Sequence, residues 1–166
     1  MSEGKKPKLS KILVAVDGSE ESMHAANYAI NMAIKYNAEL IAIHVVSRKL
    51  LGFEYTPQPQ LFGLPATPSS VDKIVERSKR EAEHWLDTIK QQLSYHEPNK
   101  EVKLKTEAII AVKPSIVGEI VDYAHQENVD LIVVGTRGMS GFKRLLLGSV
   151  ALGVVTYAHC PVMVTK

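Results

Sequence analysis

At 166 residues, 45% apolar and 23% charged, the chain has the size and make-up of one ordinary globular domain with a sizeable core. A formal charge of +2 without a concentrated basic stripe makes no case for nucleic acid, and no run of 18 apolar residues is present to span a membrane. Cys160 is the only cysteine, which excludes an internal disulfide, and the apolar run Ile12 to Val16 stops at Asp17, too short for a secretory signal, so a cytoplasmic location is expected.

Lys5, Lys6, Lys8 and Lys11 form a short basic tail, and residues 1–10 are expected to be a flexible end ahead of a domain spanning 11–166. Lys11 to Val16 is nearly all apolar, as a strand buried on both faces requires. It stops at Asp17-Gly18-Ser19, and Glu20 and Glu21 then suit the first turn of a helix. Met23, Ala26, Ile30, Ala33 and Ile34 repeat at helical spacing, and Glu39 to Val46 reads as a second buried strand.

Residues 47–70 differ. Pro57, Pro59, Pro65 and Pro68 predict a loop without regular structure, yet Leu50, Leu51, Phe53, Tyr55, Leu61, Phe62 and Leu64 are apolar. A loop of this length inside a compact domain covers a site or meets a partner. A long helix follows, with Val71, Ile74, Val75, Ala82, Trp85, Leu86, Ile89 and Leu93 on one face. Val102, Leu104 and Thr106 alternate with Lys103 and Lys105, the pattern of a third strand near a sheet edge. Pro114 opens a third helix carrying Ile116, Val117, Ile120, Val121 and Ala124. Leu131 to Val134 is a fourth strand. Val150, Ala151, Val154, Val155 and Ala158 mark a fourth helix, and Val162-Met163-Val164 is a short last strand.

This alternation of strand and helix predicts the α/β class: a single-domain parallel sheet with helices on both faces. Ligands in such sheets bind beyond the C-terminal ends of the strands, where strand order reverses. If strands one and four are neighbours, Asp17 and the segment after Val134 face one another across that crevice.

That segment carries the chemistry. Gly135-Thr136-Arg137-Gly138 and, nine residues on, Gly148-Ser149 link a buried strand to a helix. Glycines let backbone N–H groups converge on an oxyanion, and the helix N-terminus adds free N–H groups and partial positive charge. Arg137 and Lys143 offer cations. The spacing lacks the lysine of a P-loop, and the turn after strand one lacks the G-x-G-x-x-G of a dinucleotide site. What remains, G-x2-G-x9-G-S, resembles the nucleotide-binding pattern of the universal stress protein family, in its ATP-binding branch. The resemblance extends to Ile12 to Ser19 at the start, His44-Val45 at the end of strand two, and Cys160-Pro161-Val162-Met163-Val164 at the close.

The resemblance implies a Rossmann-like five-stranded sheet of order 3-2-1-4-5 and a bound adenine nucleotide, ATP, with Mg2+ able to accompany the phosphates. It places Asp17 beside adenine and ribose and the Val45 backbone on the adenine edge. Gly135, Gly138, Gly148 and Ser149 would hold ribose and phosphates, with the Val150 N–H at the helix start. Arg137, a variable position in the family, and Ala15, Val16 and Val134 at the strand ends complete the expected set. It also implies homodimers built through the last strand.

Blander roles stay open beside these. Asp17 is also a fit cap for the first helix. His44, within an apolar strand, reads as a hydrogen-bonded core histidine; Lys113 reads as a solvated residue before a helix, and Cys160 as a packing residue. The other histidines show no metal-ligand spacing. With a nucleotide pattern and no matching catalytic set, the expected function is regulatory ATP binding in stress physiology. Slow ATP hydrolysis or nucleotidyl transfer is the alternative. A phospho-acceptor role for Asp17 would call for further acids at the strand ends, where Val46 and Ile110 stand instead.

Overall fold

The computed structural model describes residues 8–47, 60–61, 64–65, 68–96, 102–111, 115–138 and 147–166. In chain order these form β1 (Lys11–Ala15), α1 (Glu20–Tyr36), β2 (Glu39–Val46), β3 (Gln60–Leu61), β4 (Leu64–Pro65) and α2 (Pro68–His96). Then come β5 (Leu104–Ile110), α3 (Ile116–Gln126), β6 (Leu131–Gly135), α4 (Ser149–Tyr157) and β7 (Val162–Thr165).

Five strands make one sheet in the order β5-β2-β1-β6-β7, and all four pairings are parallel. Numbered along the sheet-forming strands alone, this is 3-2-1-4-5. The apolar runs are continuous because both faces of the sheet are covered. Ile12, Val14, Leu40, Ala42, Leu131 and Val133 point to one face, where α1 packs through Ala25, Ala26, Ala29, Ile30 and Ala33, and α2 through Leu86, Ile89 and Leu93. Leu13, Ile41, Ile43, Ile132 and Val134 point to the other, against Ile120 and Ala124 of α3 and Ala151 and Val154 of α4. The period of two along each strand thus feeds two cores. The connections change face after β5, with α1 and α2 on one side and α3 and α4 on the other, and the strand order therefore reverses between β1 and β6.

Three expectations are revised. Ser10 and Lys11 donate their N–H groups to the Asp130 carboxylate at 2.8 and 2.9 Å, and Lys11 Nζ donates to the Glu127 carbonyl at 2.7 Å. Lys11 therefore opens the sheet, as the reading of a strand from Lys11 predicts and the reading of a basic tail does not, and Leu9 packs against the first core. Pro68 does not end structure but begins it, as the first residue of α2, where its missing N–H costs nothing. Within the stretch read as an unstructured loop, β3 and β4 pair antiparallel, Gln60 opposite Pro65 and Leu61 opposite Leu64. Lys5, Lys6, residues 48–59, Lys113, Pro114 and Lys143 lie outside the described residues.

Candidate functional site

β1 and β6 are hydrogen-bonded neighbours, with Ile12 level with Leu131 and Val14 level with Val133. Their C-terminal ends therefore open side by side. Residues 16–19 leave β1 in one direction and residues 136–138 leave β6 in the other, and a cavity of about 250 Å³ lies between them. That volume is near the low end of roughly 300–1,000 Å³ for small-molecule sites.

One wall is the turn after β1. Ser19, with φ −68° and ψ 156°, is the N-cap of α1, and its Oγ accepts from Ser22 N–H. Asp17 is not the cap. Its Oδ1 instead accepts from Ser19 N at 3.1 Å and from Ser19 Oγ at 2.5 Å, and its own N–H reaches Ser22 Oγ at 3.2 Å. The capping residue thus takes the helix end and leaves Asp17 facing the cavity. Gly18 follows with φ +81°, a left-handed conformation that glycine adopts without a Cβ clash. A Cβ at Gly18 would also lie 2.2 Å from Trp85 Cε2.

The facing wall comes from β6 and α4. A Cβ on Gly138 would stand 2.4 Å from Asp17 Oδ2, so the bare Cα of Gly138 lets the two walls meet. Gly148 N–H donates to the Thr136 carbonyl at 2.7 Å, which ties the start of α4 to the end of β6. A Cβ at Gly148 would lie 3.2 Å from that same oxygen. Gly148 is also the N-cap of α4 and makes no side-chain cap, whereas Ser19 and Ser115 cap α1 and α3 with their hydroxyls. Ser149, Val150 and Ala151 at the N-terminus of α4 line the cavity, and no capping side chain takes up the first free amides of that helix.

Arg137 lines the same wall, and its Nε is buried without a hydrogen-bond partner among the described residues. The floor is apolar: Val16, Val45, Val134, Ile116 and Ile120 line it. This combination, an apolar floor with an acid at one side and bare amides and a cation at the other, suits a flat heterocycle joined to an anionic tail.

All eleven residues expected from the sequence, from Ala15 to Val150, line this one cavity. Six more line it that were not expected: Ser22, His44, Ile116, Ile120, Thr136 and Ala151. The sequence pattern places Ile116 and Ile120 only on a helix face, and the packing of α3 in the second core brings that face to the site. His44 is partly buried and its Nδ1–H donates to the Val16 carbonyl at 2.8 Å, the hydrogen bond expected of it. Cys160 packs half-buried against the second core; burial first, then the charge of Asp130, raises its thiol above the usual cysteine range. That disfavours a thiolate nucleophile.

A family model described as the universal stress protein family matches residues 8–166. A universal stress protein of Methanocaldococcus jannaschii is 40% identical over 156 residues, which cover 94% of this chain and 81% of the relative. The solved structure of universal stress protein UspA from Lactobacillus plantarum is 31% identical, with a TM-score of 0.73 over 96% of this chain and 99% of its own. A universal stress protein solved in complex with cAMP shares the fold at 21% identity, TM-score 0.65, over 96% and 98% of the two chains. Structures from Archaeoglobus fulgidus with dAMP and from Arabidopsis thaliana with AMP share it at 18% and 16% identity and TM-scores of 0.62 and 0.56. On its whole-length match and its sheet order, the chain belongs to the universal stress protein family.

Proposed function

We propose that the cavity between β1 and β6 binds an adenine nucleotide, ATP by preference, and that the protein is a stress-response regulator acting through the bound state. The observation that carries this is the contact between the Asp17 carboxylate and the bare Gly138 Cα, beside an α4 N-terminus capped by glycine. Asp17 accepts hydrogen bonds from the ribose hydroxyls. The backbone of Val45, at the end of β2, meets the adenine edge, and Ala15, Val16 and Val134 bury its faces. Gly135, Gly138, Gly148 and Ser149, with the Val150 N–H, hold ribose and phosphates, because amides without Cβ cover reach charged oxygens directly. Arg137 lines the cavity and supplies positive charge beside the phosphate chain. Mg2+ enters bound to the phosphates rather than to a protein cage. Related structures with cAMP, dAMP and AMP support adenine as the base.

Isothermal titration of ATP into the wild-type protein and Asp17→Ala tests the assignment. Each charged hydrogen bond contributes about 1.5–3 kcal/mol, so the variant is expected to bind about ten- to hundredfold more weakly. Equal affinities, or no binding by the wild type, would refute the site.

The same reading includes a homodimer. β7 ends the sheet, and Leu152, Val155 and Tyr157 of α4 are exposed apolar side chains beside it. A free strand edge flanked by apolar surface pairs readily with another copy. Sedimentation velocity should give a dimer for the full chain and a monomer for protein truncated after Cys160, with circular dichroism confirming the fold. A dimer that survives truncation would take β7 out of the interface.

A further inference from the structure

We propose that Trp85 and His44 are positioning residues of the nucleotide site, and that through them occupancy of the cavity is felt along α2. The inference rests on the adenine-nucleotide reading of the cavity and adds to it an element that does not line the cavity at all.

The turn that presents Asp17 is held from three directions. Val16 N–H donates to the Ile43 carbonyl at 2.9 Å, which continues the β1–β2 ladder one residue past the end of β1. The Val16 carbonyl then accepts from His44 Nδ1–H at 2.8 Å. Beyond Asp17, the indole of Trp85 lies against Gly18. A Cβ built at Gly18 would fall 2.2, 2.3 and 2.7 Å from Trp85 Cε2, Cζ2 and Nε1, so the ring occupies the space that any other residue would need. The His44 ring meets the same indole edge-on, with centroids 5.0 Å apart and planes at 73°. Such edge-to-face pairs are attractive beyond their buried area.

Trp85 therefore touches both ends of the turn: Gly18 directly, and Val16 through His44. Asp17 sits between these two contacts. Gly18, at φ +81°, has no Cβ of its own, and the indole fills the space beside it. The indole belongs to α2, whose neighbouring Leu86, Ile89 and Leu93 are anchored in the first core. A rigid helix thus sets the position of the carboxylate from outside the site.

Linkage makes the coupling reciprocal. If the indole favours the turn geometry that accepts a ribose, then a bound nucleotide favours the indole in its seat to the same degree. Binding at the cavity is then returned as a stabilised α2.

The test uses the full chain, with ATP as probe. Trp85 is the only tryptophan, so emission on 295-nm excitation reports on the surroundings of this ring alone. Saturating ATP is expected to shift that emission and to slow amide exchange in α2 around residues 82–89 by roughly three- to tenfold, the factor an aromatic contact supports. Trp85→Leu should lose affinity by the same factor and lose the α2 protection even at saturation, while keeping a cooperative thermal transition. His44→Asn, which keeps a donor beside Val16, should bind more tightly than His44→Leu. ATP binding to the wild type with unchanged emission and α2 exchange would overturn the coupling and leave the site standing. So would a folded Trp85→Leu with wild-type affinity. A wild type that binds no adenine nucleotide would remove the site and this coupling together. The first two measurements need no variant, so a misfolded substitution does not shield the proposal.

Discussion

Gly138→Val is expected to abolish measurable ATP binding, at least about a hundredfold loss, while leaving thermal stability close to wild type. The reason is the meeting of the two walls. A Cβ at this position stands 2.4 Å from Asp17 Oδ2, well inside contact distance, and valine adds two further methyls. Asp17 can move aside only by giving up hydrogen bonds of its own. Its other oxygen is held by Ser19 N and Oγ, and its N–H by Ser22 Oγ, where Ser22 is itself buried. The valine therefore displaces the carboxylate, fills the cleft, or both. Losing the Asp17 contact and one phosphate amide removes two charge-assisted hydrogen bonds of about 1.5–3 kcal/mol each, which is more than a hundredfold in affinity. The fold is spared because Gly138 lies past the end of β6 and supports neither core. Calorimetric titration with a thermal melt on the same sample checks both halves. Wild-type affinity in the variant would mean that the nucleotide does not pass between these walls.

Much of this site was legible in the sequence because it is written in residue types with few other uses. A buried parallel strand shows as an unbroken apolar run, and Leu131 to Val134 breaking into Gly135 is such a run meeting a glycine turn. With the runs in place, handedness and alternation leave few sheet orders, and the family resemblance selected the observed one. What the sequence hid are the choices that depend on distant chain. Asp17 and Ser19 are both good caps two residues apart, and only the extended backbone of Ser19 decides between them. Lys11 reads as a tail lysine until Glu127, 116 residues away in sequence, arrives beside it. Pro68 weighs as a helix breaker when counted among prolines, though the first turn is the one place in a helix that favours it. Trp85 follows a helical stripe and gives no hint that its ring ends against Gly18 of another loop. Local patterns name the elements, whereas contacts between loops from different strands are set by tertiary packing.

Gly135→Ala separates the fold from the ligand in the opposite sense to Gly138→Val. The two glycines are three residues apart and both line the cavity, yet they are constrained from different sides. A Cβ at Gly135 would lie 2.8 Å from both the backbone carbon and oxygen of Glu21 and 3.0 Å from Ser22 N, atoms in the first turn of α1. Backbone cannot rotate aside as a side-chain end can. Either α1 lifts from β6, which opens the packing of Ala25 and Ala26, both fully buried, or β6 shifts against β7, where Gly135 stands level with Thr165. Overpacking of this kind costs about 3 kcal/mol. For a domain of this size that is a fall in Tm of roughly 6–12 °C, at about 2–4 °C per kcal/mol. Denaturant unfolding should show a lower midpoint with an unchanged slope, because the surface exposed on unfolding is the same. ATP affinity should also fall, since Ser22 and the Asp17 turn ride on the displaced helix. An unchanged midpoint would show that α1 can slide along β6 at little cost. In that case the small alanine face of α1, rather than the missing side chain of Gly135, sets how closely helix and strand approach.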